Sequence, residues 1–278
     1  MERRINGMVD YHLHTARCGH ARGSMREYVK RAVQLGFSEI GFADHLPLLN
    51  RRDSSLTMDE SELPGYFQEI ESIREDFPGI EIKAGIEADF FPDLVRETAD
   101  VLKRYPFDYV IGSVHFLDGW GFDDPRGQAG YAGRRPPEVY EEYFNALIAS
   151  AESRLFDIIA HPDLIKKYDY RPGVDVSLLY AEAARAIAES GAAVEINTAG
   201  LRKPVGEIYP TLDFLELCQE KGAPLTFGSD AHAPEEVGRD FNAAAVLARE
   251  AGYRRVATFA GRQMTLADIP LGGMTGGR

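Results

Sequence analysis

The sequence predicts an α/β barrel with its functional site at the C-terminal ends of the strands. Three observations carry this. Short β-rich runs alternate with helical patterns, which implies a parallel sheet. The chain has 278 residues, a length that α/β barrels often use as one domain. Six of the seven histidines stand at or just after the end of a β-rich run, where barrels of this kind keep their catalytic residues.

The β-like runs are 8–14, 39–45, 80–89, 107–115, 156–161, 193–197 and 224–232. Helical patterns separate them. Ser24 with Glu27 three residues later forms a capping box, and the helix after it carries Val29, Val33 and Leu35 and stops at Gly36. Residues 62–76, 92–104, 136–153, 176–190, 211–221 and 235–251 place apolar side chains at three- and four-residue spacing. A further β-like run, RRVATFA, follows Gly252. Residues 1–270 are expected to form a single barrel domain, and the Gly-rich tail 271–278 to be disordered.

Composition narrows the function. Hydrophobic residues at 44% and charged residues at 27% exclude general disorder. No apolar run approaches the roughly 18 residues of a membrane span, and the first residues lack a signal-peptide pattern. Two cysteines, Cys18 and Cys218, make no disulfide framework, so a cytoplasmic location is expected. A net charge of −13 argues against a general nucleic-acid partner. It leaves room for a small phosphorylated substrate at a local cationic centre. Oligomeric state is open.

The histidines are His12, His14, His20, His45, His115, His161 and His232. His12 and His14 form an H-x-H on a strand, so period-two geometry sends both to one face. Asp230 and His232 repeat that spacing, and Glu87 lies near the end of an apolar strand. Each has an ordinary structural explanation alone. Jointly they do not, because a barrel gathers all these strand ends at one rim, where unpaired polar groups are costly. Imidazole and carboxylate together suit zinc, iron or manganese. Nine donors exceed the needs of one ion, so two to three divalent transition-metal ions with a bridging carboxylate are expected. Clustered divalent ions generate a hydroxide nucleophile at neutral pH and clamp phosphate oxygens. Cys18, between His14 and His20, reads as a small loop residue rather than a tenth ligand.

The motifs DYHLHT (10–15), CGHA (18–21), ADH (43–45), GIEADF (85–90), GSVHFL (112–117), AHPDL (160–164) and GSDAH (228–232) span the chain. Together they resemble the PHP superfamily, named for polymerase and histidinol phosphatase. HFLDGWGFDDP (115–125) and INTAGLRKPVGEIYP (196–210) resemble its monofunctional histidinol-phosphatase branch. The resemblance implies a distorted (β/α)7 TIM-like barrel, a trinuclear metal centre and hydrolysis of L-histidinol phosphate to L-histidinol and phosphate by a metal-bridging hydroxide. It places His12, His14, Glu87 and Asp230 on one ion, Glu87 with His115 and His161 on a second, and His20, His45 and His232 on a third. His232, Asp230 and Arg202 become the candidate catalytic residues. Arg202 fits one phosphate contact of that branch and Lys166 the other, where an arginine is expected; Ser229, next to Asp230, is a further candidate to donate to phosphate.

In the loop 118–124, Trp120 and Phe122 are candidates to cover the substrate imidazole, and Asp118 or Asp123 to pair with its amine. Three other readings compete. Another PHP phosphoesterase would act on nucleotides or other small phosphate esters. A non-catalytic metal-binding module would show replacements at the ligand positions, and none is seen. A metal-dependent amidohydrolase on a related barrel would need a carbamylated lysine or a different ligand order, and no lysine ends a strand.

Overall fold

In the computed structural model, which describes residues 8–269, seven parallel strands form one sheet in the order β1-β2-β3-β4-β7-β8-β9. They are β1 (Val9–Leu13), β2 (Glu39–Phe42), β3 (Glu81–Asp89), β4 (Tyr109–Ser113), β7 (Ile158–Ile159), β8 (Ala193–Asn197) and β9 (Leu225–Gly228). A short hairpin, β5 (Phe116–Leu117) with β6 (Trp120–Gly121), follows β4. The sheet curls until its two edges meet. A parallel bridge joins Leu13 to Ala231, with hydrogen bonds from His14 N–H to Ala231 O (2.9 Å) and from Ala231 N–H to His12 O (3.1 Å). The predicted distorted (β/α)7 barrel is therefore observed. The tail 271–278 lies outside the described residues.

Among the described residues, seven α-helices surround the strands: α1 (Met25–Leu35), α2 (Leu63–Asp76), α3 (Val95–Lys103), α4 (Pro136–Glu152), α5 (Ser177–Ser190), α6 (Leu212–Glu220) and α7 (Phe241–Glu250). The capping box of α1 forms, with the Glu27 carboxylate accepting from Ser24 N–H at 2.7 Å. Gly36 ends that helix in the left-handed conformation, φ 85°. Its inward face is Met25, Tyr28, Val29, Ala32 and Leu35; Val33 faces solvent. No described helix is long and apolar enough to cross a membrane. The last predicted helix starts six residues later than expected, because Gly238 and Asp240 both take positive φ and break the backbone there. The final β-like run becomes β10 (Arg255–Ala260), which turns back as β11 (Gln263–Asp268) in an antiparallel hairpin.

An aromatic layer lies on the N-terminal side of the histidines. Tyr109 opens β4 and is fully buried, with its ring centroid 4.9 Å from that of Tyr11 and 6.1 Å from that of Phe259 on β10. Its hydroxyl donates to Tyr11 O at 2.7 Å. Gly41 and Gly85 admit this ring: a Cβ on either would sit 2.2 Å from a Tyr109 atom. Neither Tyr109 nor the backbone under it can retreat in so dense a core. Gly85→Ala is accordingly expected to destabilise the fold by about 1–3 kcal/mol or more, read as a lower urea midpoint with an unchanged m-value.

Candidate metal centre

The strands deliver their chemistry by ending. β1 carries His12 in the ladder and His14 just beyond it, and β3 carries Glu87 and Asp89. The other ligand-bearing ends leave the sheet sooner than the apolar runs predict. His161 after β7 and Asp230 after β9 have φ of 26° and 52°. Such values are uncommon outside glycine and turn these side chains away from the ladder.

Glu87, 1% exposed, stands at the centre of the imidazoles. Its Oε2 lies 3.2 Å from His12 Nε2, 3.4 Å from His14 Nε2 and 3.0 Å from His45 Nδ1. Its Oε1 lies 3.2 Å from His161 Nε2 and 3.7 Å from His115 Nε2, and accepts a short hydrogen bond from Ser113. The carboxylate thus presents one oxygen to each of two groups of imidazoles, as a bridging ligand must. His14 Nε2 is also 3.4 Å from Asp230 Oδ1. His20 and His232 bring their Nε2 atoms to 3.0 Å. That is near the separation of two donors on one tetrahedral zinc, roughly 3.3 Å for Zn–N bonds of about 2.0–2.1 Å. His45 stacks 5.6 Å from His20, between the Glu87 bridge and that pair. All nine predicted ligand residues therefore converge.

The residues fit metal ions. His12 Nε2, both ring nitrogens of His14, His161 Nδ1 and Glu87 Oε2 are buried without a hydrogen-bond partner. Buried polar atoms are seldom left so, and several together around one carboxylate describe sites for cations. Sets of donor atoms close enough to share an ion include His12, His14 and Glu87, and His12, His161 and Asp230. The far side of several rings is fixed, as metal-binding histidines require. His12 Nδ1 lies 2.6 Å from Glu195 Oε1, and His115 Nδ1 lies 2.9 Å from Asp89 Oδ1. His20 Nδ1 meets Cys18 O at 2.9 Å, and His232 Nδ1 meets Asp230 O at 3.0 Å.

The protein's own charges pull these groups apart. Burial, with His232 and His45 beside it, holds His14 well below the usual imidazole range. Burial and the His20 ring hold His232 at about 4. Burial opposes charge on His12 too, but Glu195 and Glu87 outweigh it and keep that ring well above the usual range. His115 rises to about 10 despite burial, because Asp89 and Asp123 face it. Cys18 sits close to His20 and His232. Burial and Asp44 push its thiol up to about 12, and Ala21 N–H donates to the sulfur at 3.2 Å.

The centre forms the floor of a cavity of about 710 Å³ whose walls include Leu48, Phe116, Asp123, Asp124, Arg126, Lys167, Tyr168 and Lys203. The residues predicted from the sequence to contact substrate fall partly on this wall and partly off it. Lys166 is not on the wall. It is 2% exposed and held by Asp163 (2.8 Å), Glu207 (3.3 Å) and Ile208 O (3.0 Å). Lys167 lines the cavity instead, donating to Asp123 at Oδ2 (3.1 Å) and O (2.7 Å). Arg202 also lies off the wall, its guanidinium donating to Ser229 O at 2.6 Å and facing Glu236 at 3.4 Å; its neighbour Lys203 lines the cavity. Ser229 is buried, and its hydroxyl and N–H both donate to Asp10 (2.6 and 2.9 Å).

In the loop 118–124, Asp118 is an exposed turn residue with φ 47°. Trp120 donates to Gly127 O (2.8 Å) under the Arg134 guanidinium, and Phe122 is buried against Tyr143. The aromatics thus brace the rim instead of facing the substrate space. Only Asp123 of the predicted loop contacts reaches the wall. Burial would raise its carboxyl, but Lys167 and His115 hold it at about 2.

The model of the PHP domain matches residues 10–199, and that of a PHP-associated region matches residues 215–246. The chain belongs to the PHP family. A Deinococcus radiodurans protein named as a probable histidinol-phosphatase is 42% identical over 94% of this chain and 99% of its own length. The Bacillus subtilis histidinol-phosphatase is 30% identical over 84% of this chain and 97% of its own. Among solved PHP barrels, the Lactococcus lactis histidinol phosphate phosphatase matches with a TM-score of 0.79 and 27% identity, covering 93% of this chain and 98% of that one. That structure holds zinc, L-histidinol and phosphate.

Proposed function

We infer that this PHP barrel is a metal-dependent phosphomonoesterase that hydrolyses L-histidinol phosphate to L-histidinol and phosphate, a step of histidine biosynthesis. The observation that carries the reading is the Glu87 cluster, with every ligand position filled, in a chain 42% identical to a histidinol-phosphatase along almost its whole length.

The centre takes two to three divalent ions in this reading. His12, His14, Glu87 and Asp230 would hold one, Glu87, His115 and His161 a second, and His20, His232 and His45 a third. Zinc is the ion of the Lactococcus lactis structure; iron and manganese suit the same donors. When bound, the ions supply Lewis acidity to the phosphate oxygens and to the attacking water.

The chain's own residues do the rest. Lys167 and Lys203, on one wall, face the phosphate and offset its charge as the ester bond breaks. They replace Lys166 and Arg202 in that role. Asp230 and His232 act as ligands, and Arg202 steadies the Asp230 turn through its backbone. Among the described residues, no serine or threonine hydroxyl beside the ligands is set up as a covalent nucleophile. Ser113 donates to Glu87, Ser229 to Asp10 and Thr15 to Asp44, and none of the three has an imidazole base. Asp123 and Asp124, on the cavity wall, would meet the substrate's ammonium, while Phe116 and Leu48 would give an apolar wall for its imidazole. Cys18 and Cys218 are free thiols, which suits a cytoplasmic enzyme.

Phosphate release from L-histidinol phosphate, measured beside 3′-phosphorylated nucleotides and sugar phosphates on protein of known metal content, tests the reading. Histidinol phosphate is expected to dominate, with activity lost on chelation and restored by zinc, manganese or iron. Equal turnover across the panel would remove the substrate assignment and leave a general PHP phosphoesterase.

A further inference from the structure

We propose that Glu195 fixes the ring tautomer of His12, so that Nε2 of His12 is the nitrogen that binds an ion; this rests on the metal-centre reading above. Glu195 stands mid-strand in β8 and is 1% exposed. Its Oε1 is 2.6 Å from His12 Nδ1. Its Oε2 accepts from His161 N–H (2.9 Å) and from Asn197 Nδ2 (3.0 Å). An ionised carboxylate only accepts hydrogen bonds, so His12 must carry a proton on Nδ1. Nε2, buried and without a hydrogen-bond partner, is the ring nitrogen left free to face an ion. The backbone of Gly228 packs closely against the pair. A Cβ on Gly228 would stand 2.0 Å from Glu195 Oε1 and 2.7 Å from His12 Cβ. Glu195 is thus a positioning residue with two tasks. It orients His12, which faces Oε2 of Glu87, and it holds the backbone of His161, which faces Oε1.

An isosteric change inverts this logic. In Glu195→Gln, the site of Oε2 faces two donors, His161 N–H and the Asn197 amide, so the glutamine oxygen must go there. Its NH2 group then faces His12 Nδ1 and donates to it. The ring is forced to carry its proton on Nε2, the wrong nitrogen for an ion.

The test uses the full chain, zinc alone as the probe, and two readouts. Competitive chelator titration of the wild type and of Glu195→Gln is expected to show the tightest zinc weakened about 10- to 100-fold in the variant, with the zinc-free unfolding temperature little changed. Long-range ¹⁵N–¹H spectra of histidine-labelled protein, with His12 assigned by His12→Gln, are expected to show Nδ1–H in the zinc-loaded wild type and Nε2–H in zinc-free Glu195→Gln. Wild-type affinity in Glu195→Gln, or zinc on Nδ1 of His12 in the wild type, would overturn the proposal. The wild-type spectrum decides alone if the variant does not fold. A wild type that binds no zinc would instead overturn the metal-centre reading, which keeps the two failures distinct.

Discussion

Replacing Glu87 by glutamine is expected to lower kcat/KM for L-histidinol phosphate by about 10³-fold and to reduce the zinc bound per chain. The size follows from what the bridge supplies. Positioning divalent charge at the phosphate is worth several kcal/mol, and each 1.36 kcal/mol is tenfold in rate. Glutamine keeps the shape of Glu87, but it offers one oxygen and one NH2 group where five imidazoles within 3.0–3.7 Å now face two acceptors. It also removes a charge that His12, His45 and His115 hold ionised against the penalty of burial. Metal analysis on the purified variant separates the causes. Lost zinc with lost activity fits a bridging ligand. Full zinc with full activity would remove Glu87 from the centre.

Most of that centre is legible in the sequence for a physical reason. A metal ligand must be one of a few side-chain types, and in a barrel it must sit where a strand ends, so residue type and position point to the same places. His12, His14, Glu87, His115, His161, Asp230 and His232 all obey this. The carboxylates that orient them are far less visible. Glu195 lies inside AVEIN and acts on a ring 183 residues earlier; its only signal is a charge in the middle of an apolar run. Asp89, two residues after Glu87 and so on the same face, carried a readable signal that the sequence argument missed.

The fold was legible as alternation and less so at its ends. Each barrel strand is an apolar run between turns, which fixes its presence. Where it stops depends on backbone geometry at single residues, such as the positive φ of His161, Asp230 and Asp240. The two adjacent lysines show the limit most plainly. They sit at the end of a 3-10 turn, Leu164–Lys166, where successive side chains diverge by about a third of a revolution. One lysine enters a buried nest of Asp163 and Glu207, and the next enters the cavity. Nothing in the string IKK says which. Trp120 and Phe122 in DGWGFDD show the same limit, because a rim aromatic that braces a loop has the composition of one that stacks on a substrate.

Lys203→Met is expected to lower kcat/KM by about 10- to 100-fold, chiefly through KM, and to weaken inhibition by inorganic phosphate by a similar factor, with zinc content unchanged. A hydrogen bond to a charged group contributes about 1.5–3 kcal/mol, which sets the range. Lys203 is the cleaner of the two cavity lysines to remove, since it is exposed at the wall and has no ion-pair partner among the described residues. Lys167→Met should give a comparable kinetic loss together with lower stability, because it leaves the half-buried Asp123 carboxylate without its partner. Pairing it with Asp123→Asn should restore stability but not phosphate affinity. Lys166→Met is the contrasting variant: its ammonium is enclosed by Asp163 and Glu207, so it should unfold more easily while phosphate inhibits it as in the wild type. Phosphate inhibition unchanged in Lys203→Met and weakened in Lys166→Met would reverse the assignment. The cavity wall would then differ in the working enzyme, with the buried lysine turned toward the ions.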